Sequence, residues 1–135
     1  MMDQMPSKPS GEKPDLRFSF RARLRSFTYA WAGLKRFFRT EHNAWIHAMA
    51  ALAALILGAL LKISAGEWVG VLFAIGLVLS AEAFNTCIER TMDRLLPEPD
   101  DAVRYIKDLA AGAVLVAAIT AAAIGGIIFL PKIIP

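Results

Sequence analysis

Three stretches of the chain, residues 44–61, 69–81 and 109–130, contain no Asp, Glu, Lys or Arg. The segment before them has a different rhythm. Phe20, Leu24, Phe27, Trp31, Leu34 and Phe38 recur at steps of four and three, the spacing that stacks side chains on one face of a helix. Arg21, Arg23, Arg25, Lys35, Arg36 and Arg39 surround that face. An aromatic stripe with a cationic surround suits a helix lying at the boundary between lipid headgroups and tails, and it predicts a surface helix over about 18–39. The uninterrupted stretches predict three transmembrane helices, at about 44–61, 67–90 and 107–130. Eighteen residues make roughly 27 Å of helix, which just crosses a hydrocarbon core. Trp68 opens the second span at an interface, and Pro131 with Lys132 closes the third.

Composition narrows the class. Hydrophobic residues are 56% of the chain and charged residues 20%, and they are segregated into blocks, so the bulk reads as an all-α membrane protein. A single cysteine, Cys87, excludes a disulfide scaffold or a zinc module, and it reads as an inert small apolar residue. The net charge of +3 arises from basic residues flanking the spans, so no nucleic-acid partner is expected. Residues 1–17 hold Pro6, Pro9 and Pro14 with little apolar surface and read as a disordered cytoplasmic tail. They do not form a signal peptide, because the first uncharged apolar run starts only near Ala44. Residues 18–135 form the membrane domain.

Nine of the Lys and Arg residues precede the first span, one lies between the first two, four lie between Arg90 and Lys107, and one follows the third. Because basic segments stay inside, the N-terminus and the second loop are placed in the cytoplasm and the C-terminus outside the inner membrane. Ala50, Ala54 and Gly58 on span one, and Ala113, Ala117, Ala121 and Gly125 on span three, form small-residue stripes. Such stripes let helix backbones approach closely. Three helices alone enclose little interior, so self-association is expected.

Chemistry concentrates on span two. Glu82, Asn85, Glu89 and Asp93 are spaced three, four and four apart, within an arc of roughly 80°. Counted from Trp68, Glu82 is about 21 Å along the helix and Glu89 about 31 Å, near the inner boundary. Glu41 precedes span one at that same boundary. Glu41 and Glu89 are hard oxygen ligands that could share a Mg²⁺ with phosphate oxygens, oriented by Asn85 and Asp93. Alternatively, Glu41 flanks a helix start and Glu89 pairs with Arg90 or Arg94. Glu82, deeper, suits a general base that takes a proton from an alcohol, or else a protonated acid bonded between helices. His47, early in span one, reads as a packed or hydrogen-bonded residue.

The run Glu82-Ala83-Phe84-Asn85-Thr86-Cys87-Ile88-Glu89, followed by Asp93-Arg94 and by Lys107-Asp108-Leu109-Ala110-Ala111-Gly112-Ala113-Val114-Leu115, closely resembles the prokaryotic diacylglycerol kinase family. These are small integral membrane lipid kinases that include the undecaprenol kinases, and the resemblance extends from about Phe20 to the C-terminus. It implies ATP-dependent phosphorylation of a lipid alcohol, diacylglycerol to phosphatidic acid or, alternatively, undecaprenol to undecaprenyl phosphate. It further implies Glu82 as catalytic base, and Glu41 with Glu89 as ligands of the Mg²⁺ that bridges ATP phosphates. Nucleotide contacts carry over to Tyr29, Asn85, Glu98, Asp100, Lys107 and Asp108, and the family's homotrimer would supply the missing interior. By position, Trp31, Phe38 and His47 join Glu82 along the lipid substrate; His47 stands where well-studied Gram-negative members carry an acidic residue. No G-x-x-x-x-G-K-[ST] motif exists, so a soluble P-loop kinase is excluded. A proton-coupled exporter using Glu82, or a non-catalytic membrane subunit, are the readings from other classes.

Overall fold

The computed structural model describes residues 19–134; the expected tail at residues 1–17 lies outside them. Four helices follow one another: α1 (Phe20–Thr40), α2 (His42–Leu60), α3 (Ala65–Leu95) and α4 (Asp101–Ile133). The last three are each long and apolar enough to cross a membrane.

The breaks between helices have local causes. Glu41 is extended (φ −103°, ψ 117°), which separates α1 from α2. Of the α1 positions whose burial is described, only Phe37 is buried and Phe38 half-buried, so α1 meets the bundle at its C-terminal end. The turn after α2 places Lys62 in the left-handed region (φ 49°). Ile63 N–H reaches back to the Gly58 carbonyl at 3.2 Å and Lys62 N–H to that of Ala59 at 3.3 Å, a Schellman closure with lysine where glycine is usual. Ser64 then caps α3 through a reciprocal capping box: its Oγ accepts from Glu67 N–H (3.3 Å), and Ser64 N–H donates to the Glu67 carboxylate (2.6 Å).

Both long helices outrun their apolar stretches. α3 continues through Glu89–Leu95, which contains no Gly or Pro, and stops at Leu96 (φ −136°, ψ 74°), where the following Pro97 disfavours helix. At 31 residues α3 is about 46 Å long, so its last turns extend beyond a hydrocarbon core of about 30 Å. α4 starts at Asp101 because the Asp100 carboxylate accepts from the Ala102 and Val103 N–H groups at 2.8 and 3.0 Å. Pro131 does not close α4 as the sequence suggested; the helix runs to Ile133 with the proline inside its last turn. There the missing N–H removes only one bond near an end that is already unravelling.

α3 is the central helix, packed most extensively on α4 and next on α2. Ile63, Val71, Ile128 and Phe129 form a buried cluster beside the α2–α3 turn, ringed by Ala54, Leu57, Trp68 and Ile124. Close approach here depends on two glycines. A Cβ on Gly58 would lie 3.0 Å from Ile63 Cδ1 and 3.0 Å from Trp68 Cη2, and one on Gly70 would lie 3.3 Å from Ile128 Cδ1.

Candidate active site

The opposite end of the bundle, where α3 and α4 are joined by residues 96–100, gathers the acidic face. Glu82 is buried, 3% exposed, about nine residues inside the last charged turns of α3. The side chain brought toward it from α2 is His47, whose Nε2 stands 3.9 Å from Glu82 Oε2. One turn on, Asn85 is buried and its Nδ2 donates to Glu89 Oε1 at 3.1 Å. The i, i+4 spacing makes that contact almost unavoidable on a helix. Asn85 Oδ1, by contrast, is the one buried side-chain polar atom without a hydrogen-bond partner among the described residues.

Glu41 is drawn to the same level by a residue that the sequence reading did not assign to the site. Arg90, the neighbour of Glu89, donates from Nη2 to Glu41 Oε1 and to Thr40 Oγ1, the latter at 2.8 Å, while Thr40 also donates to Glu41 Oε1 at 3.1 Å. Glu41 therefore flanks the start of α2 without capping it, tied to α3 instead. Glu89 accepts from the Asn85 amide, and Arg90, one of its two expected ion-pair partners, is directed to Glu41 instead. Asp93, expected to orient the carboxylates, instead accepts from Lys107 Nζ at 2.9 Å and so joins the end of α3 to the start of α4.

Among the described residues, none of the remaining predicted positions is hydrogen-bonded or ion-paired to Glu82. Asp100 is occupied as the α4 cap, Glu98 is exposed in the loop, and Asp108 is exposed with Arg104 Nε 3.8 Å away. Tyr29 and Trp31 are 70% and 72% exposed on α1, and Phe38 packs edge-on against Phe37. Cys87 is exposed and free. Arg36 of α1 lines a shallow groove with Arg90 and Arg94 of α3, giving the face a cationic rim.

The donor chemistry fits a hard divalent cation held together with phosphate. No group of three or more His, Cys, Asp or Glu side chains converges among the described residues, as an all-protein cage would require. Mg²⁺ needs only one or two carboxylates when substrate phosphates and water complete its shell. Glu89, the second Glu41 oxygen and the orphaned Asn85 carbonyl are oxygens of the right kind at the same end of the bundle. The orphaned carbonyl counts most. A buried acceptor without a donor costs about 1–3 kcal/mol, which a cation, or a water bound to one, would relieve.

A second feature touches His47. His47 is the one polar side chain lining an otherwise apolar cleft of about 270 Å³ between α2, α3 and α4, whose walls include Ala50, Ala54, Val78, Ala121 and Gly125. The small-residue stripes thus face partly inward, leaving space between the helices of one chain.

Comparison with known proteins bears on what this arrangement serves. The family model for prokaryotic diacylglycerol kinase matches residues 28–129. An undecaprenol kinase of Bacillus subtilis (strain 168) is 42% identical over 110 residues, spanning 82% of this chain and 89% of its own. A diacylglycerol kinase of Synechocystis sp. is 34% identical over 132 residues, spanning 95% of this chain and 75% of its own. The family match takes in every predicted site residue from Glu41 to Asp108, and the three helices that can cross a membrane lie largely within it. The chain belongs to the prokaryotic diacylglycerol kinase family, a family of lipid kinases.

Proposed function

We propose that the protein transfers the γ-phosphoryl group of ATP to a membrane lipid alcohol at the cytoplasmic face of the inner membrane, converting diacylglycerol to phosphatidic acid. The observation that carries this reading is the buried Glu82 carboxylate at one end of an apolar bundle, one helical turn from an amide whose carbonyl lacks a partner. A second reading, undecaprenol to undecaprenyl phosphate, uses the same chemistry and is favoured by the 42% identity to the undecaprenol kinase.

Glu82 takes the hydroxyl proton as the lipid oxygen bonds to the γ-phosphorus and the bond to the departing ADP oxygen breaks. Phosphoryl transfer asks little covalent chemistry of the protein and much positioning and charge neutralisation. Glu41 and Glu89 would hold Mg²⁺ together with the nucleotide, and the ion would supply charge neutralisation. Asn85 fixes the Glu89 rotamer through its amide, and Lys107, held by Asp93, adds a cation at the head of α4. Tyr29, Glu98, Asp100 and Asp108 contact the nucleotide, with Trp31, Phe38 and His47 along the lipid. Because Tyr29 and Trp31 remain exposed in the single chain, they fit contacts supplied across subunits of a homotrimer. The basic excess before α2 and around the α3–α4 loop supports an N-terminus inside and a C-terminus outside, with α1 along the inner interface.

The test uses purified full-length protein in phosphatidylcholine vesicles with labelled ATP, Mg²⁺ and equimolar diacylglycerol and undecaprenol. Labelled lipid is expected, and the ratio of the two products decides between the readings. Transfer to neither lipid would refute both.

A further inference from the structure

Arg90 and Arg94 stand on a different face of α3 from the acidic residues. At about 100° per residue they fall about 80° and 120° round from Glu82, whereas Asn85, Glu89 and Asp93 stay within about 60° of it. That second face meets α1: Arg90 donates to Thr40 Oγ1 at 2.8 Å, and Arg36 lines one groove with Arg90, Thr91, Asp93, Arg94 and Leu95. The charges in this groove do not cancel. Arg90 is taken by Glu41, and Asp93, the acid in the lining, accepts from Lys107 Nζ at 2.9 Å. Arg36 and Arg94 are exposed and pair with no carboxylate among the described residues. Two uncompensated guanidinium groups thus share a groove in which a third is already fixed. Their planar forks match phosphate oxygens, and two positive charges match a phosphate monoester, which carries about −1.5 to −2 at neutral pH.

Depth decides what carries that phosphate. Counted from Trp68, Arg90 is about 33 Å along α3 and Arg94 about 39 Å. A hydrocarbon core is about 30 Å thick, and a bilayer with its headgroups about 40–45 Å. Both side chains therefore reach the headgroup layer at the loop end of the bundle, the level at which an interfacial α1 carries Arg36. Phosphate borne by lipid is concentrated at that level, whereas free phosphate is spread through the aqueous phase.

We infer that the groove formed by Arg36, Arg90 and Arg94 is a binding site for a membrane lipid whose headgroup is a phosphate monoester. Arg36 and Arg94 donate guanidinium N–H groups to the phosphate oxygens. Arg90, whose Nη2 is committed to Glu41 and Thr40, offers only its remaining N–H groups. A phosphodiester lipid carries one charge and a substituent on a second oxygen, so it satisfies the groove less well. Binding here needs no phosphoryl transfer. It rests on the lipid kinase reading in one respect, that a lipid phosphate monoester is the class of product such an enzyme leaves in the membrane.

The test titrates full-length protein in uncharged detergent micelles, without ATP or Mg²⁺, with phosphatidic acid, phosphatidylglycerol or inorganic phosphate. The rise of the thermal midpoint with ligand gives an apparent affinity. Phosphatidic acid should bind about fivefold more tightly than phosphatidylglycerol, the worth of about one further unit charge at contact distance in a wet groove. Inorganic phosphate at the same concentration should shift nothing. Combining Arg36→Gln with Arg94→Gln should weaken phosphatidic acid binding by about tenfold or more, and lysine at both positions, which keeps the charge and loses the fork, should recover part of that. Both side chains are exposed and unpaired, so the midpoint of either double variant in micelles alone should match that of the unaltered protein. Phosphatidic acid affinity within twofold of the unaltered value in the glutamine double variant would overturn the groove as the site. Equal binding of the two lipids would overturn the monoester, and an equal shift with inorganic phosphate would overturn a lipid ligand. None of these readings uses transfer, so they stand apart from the labelled-ATP assay: an inactive protein that still binds in this way sinks the kinase reading and leaves the groove.

Discussion

The two ends of the bundle are made differently. At the α2–α3 turn, polar groups are satisfied by near neighbours: Ser64 and Glu67 bond each other, and Lys132 reaches Glu67 at 3.1 Å to fasten the end of α4 to the start of α3. Beneath them lies the Ile63, Val71, Ile128 and Phe129 cluster. At the α3–α4 loop end the polar groups are more numerous and keep spare capacity. Asn85 Oδ1 has no partner, His47 and Glu82 stop short of bonding, and Glu41 is held through one oxygen. Unspent hydrogen-bonding capacity is costly in a scaffold and useful in a site, because a ligand can satisfy it. One end holds the helices together; the other is arranged to receive something.

The most severe way to probe that contrast is to neutralise the acidic end without altering its shape. Glu82→Gln keeps the volume and removes the proton acceptor, so turnover should fall by about 10²–10⁴. Thermal stability and nucleotide binding should change little. Activity within a few-fold of the unaltered protein, measured with labelled ATP in vesicles, would defeat the assignment of the base.

Glu89→Gln is expected to act more gently and on a different quantity. The change leaves Asn85 a carbonyl to bond but removes a charged hard ligand, so the Mg²⁺ concentration for half-maximal activity should rise by about 10–100-fold. A titration of Mg²⁺ at fixed ATP reads this directly. An unchanged midpoint would remove Glu89 from the metal site and return it to a purely structural role.

Substitution at the other end should separate stability from chemistry. Gly58→Val drives two methyl groups toward Ile63 and the Trp68 ring, where even a Cβ is already at 3.0 Å. Overpacking of this kind costs about 1–3 kcal/mol, to be seen as a lower thermal midpoint in detergent. The molecules that remain folded should retain their lipid and ATP KM values, since the acidic face lies several helical turns away. A selective rise in KM without loss of stability would mean that the two ends are not independent.

How far the sequence revealed this division follows from the range of each interaction. Helix periodicity depends on residues within one or two turns and is legible. So is Asn85 beside Glu89, because i, i+4 neighbours meet on any helix. Arg90 was legible only as a neighbour of Glu89. Its bond to Glu41, 49 residues away, requires the extended break at Glu41 to dock on α3, and nothing local encodes that. His47 facing Glu82 is likewise a product of the α2–α3 packing. The alanine stripes announced close helix approach, but their part in lining a cleft appears only when α2, α3 and α4 are placed together. Pro131 misled for the opposite reason, since a local rule was outweighed by the rest of a long helix.

The smallest expected effect concerns Lys62 and tests whether the turn end has been optimised for stability. A non-glycine residue in the left-handed region costs about 1–2 kcal/mol, whereas glycine adopts it freely but loses more backbone entropy on folding, by about 0.5–1 kcal/mol. Lys62→Gly should therefore stabilise by roughly 0.5 kcal/mol, visible as a slightly higher thermal midpoint. Lys62→Val should do the reverse, because β-branched side chains fit positive φ least well. Both variants remove the charge, so the difference between them isolates the backbone from electrostatics. Neither should alter lipid or ATP kinetics, given how far the turn lies from Glu82. If the two variants are equally stable, the Schellman closure at Lys62 does not persist in solution, and the account of this end as the stable one loses its clearest local support.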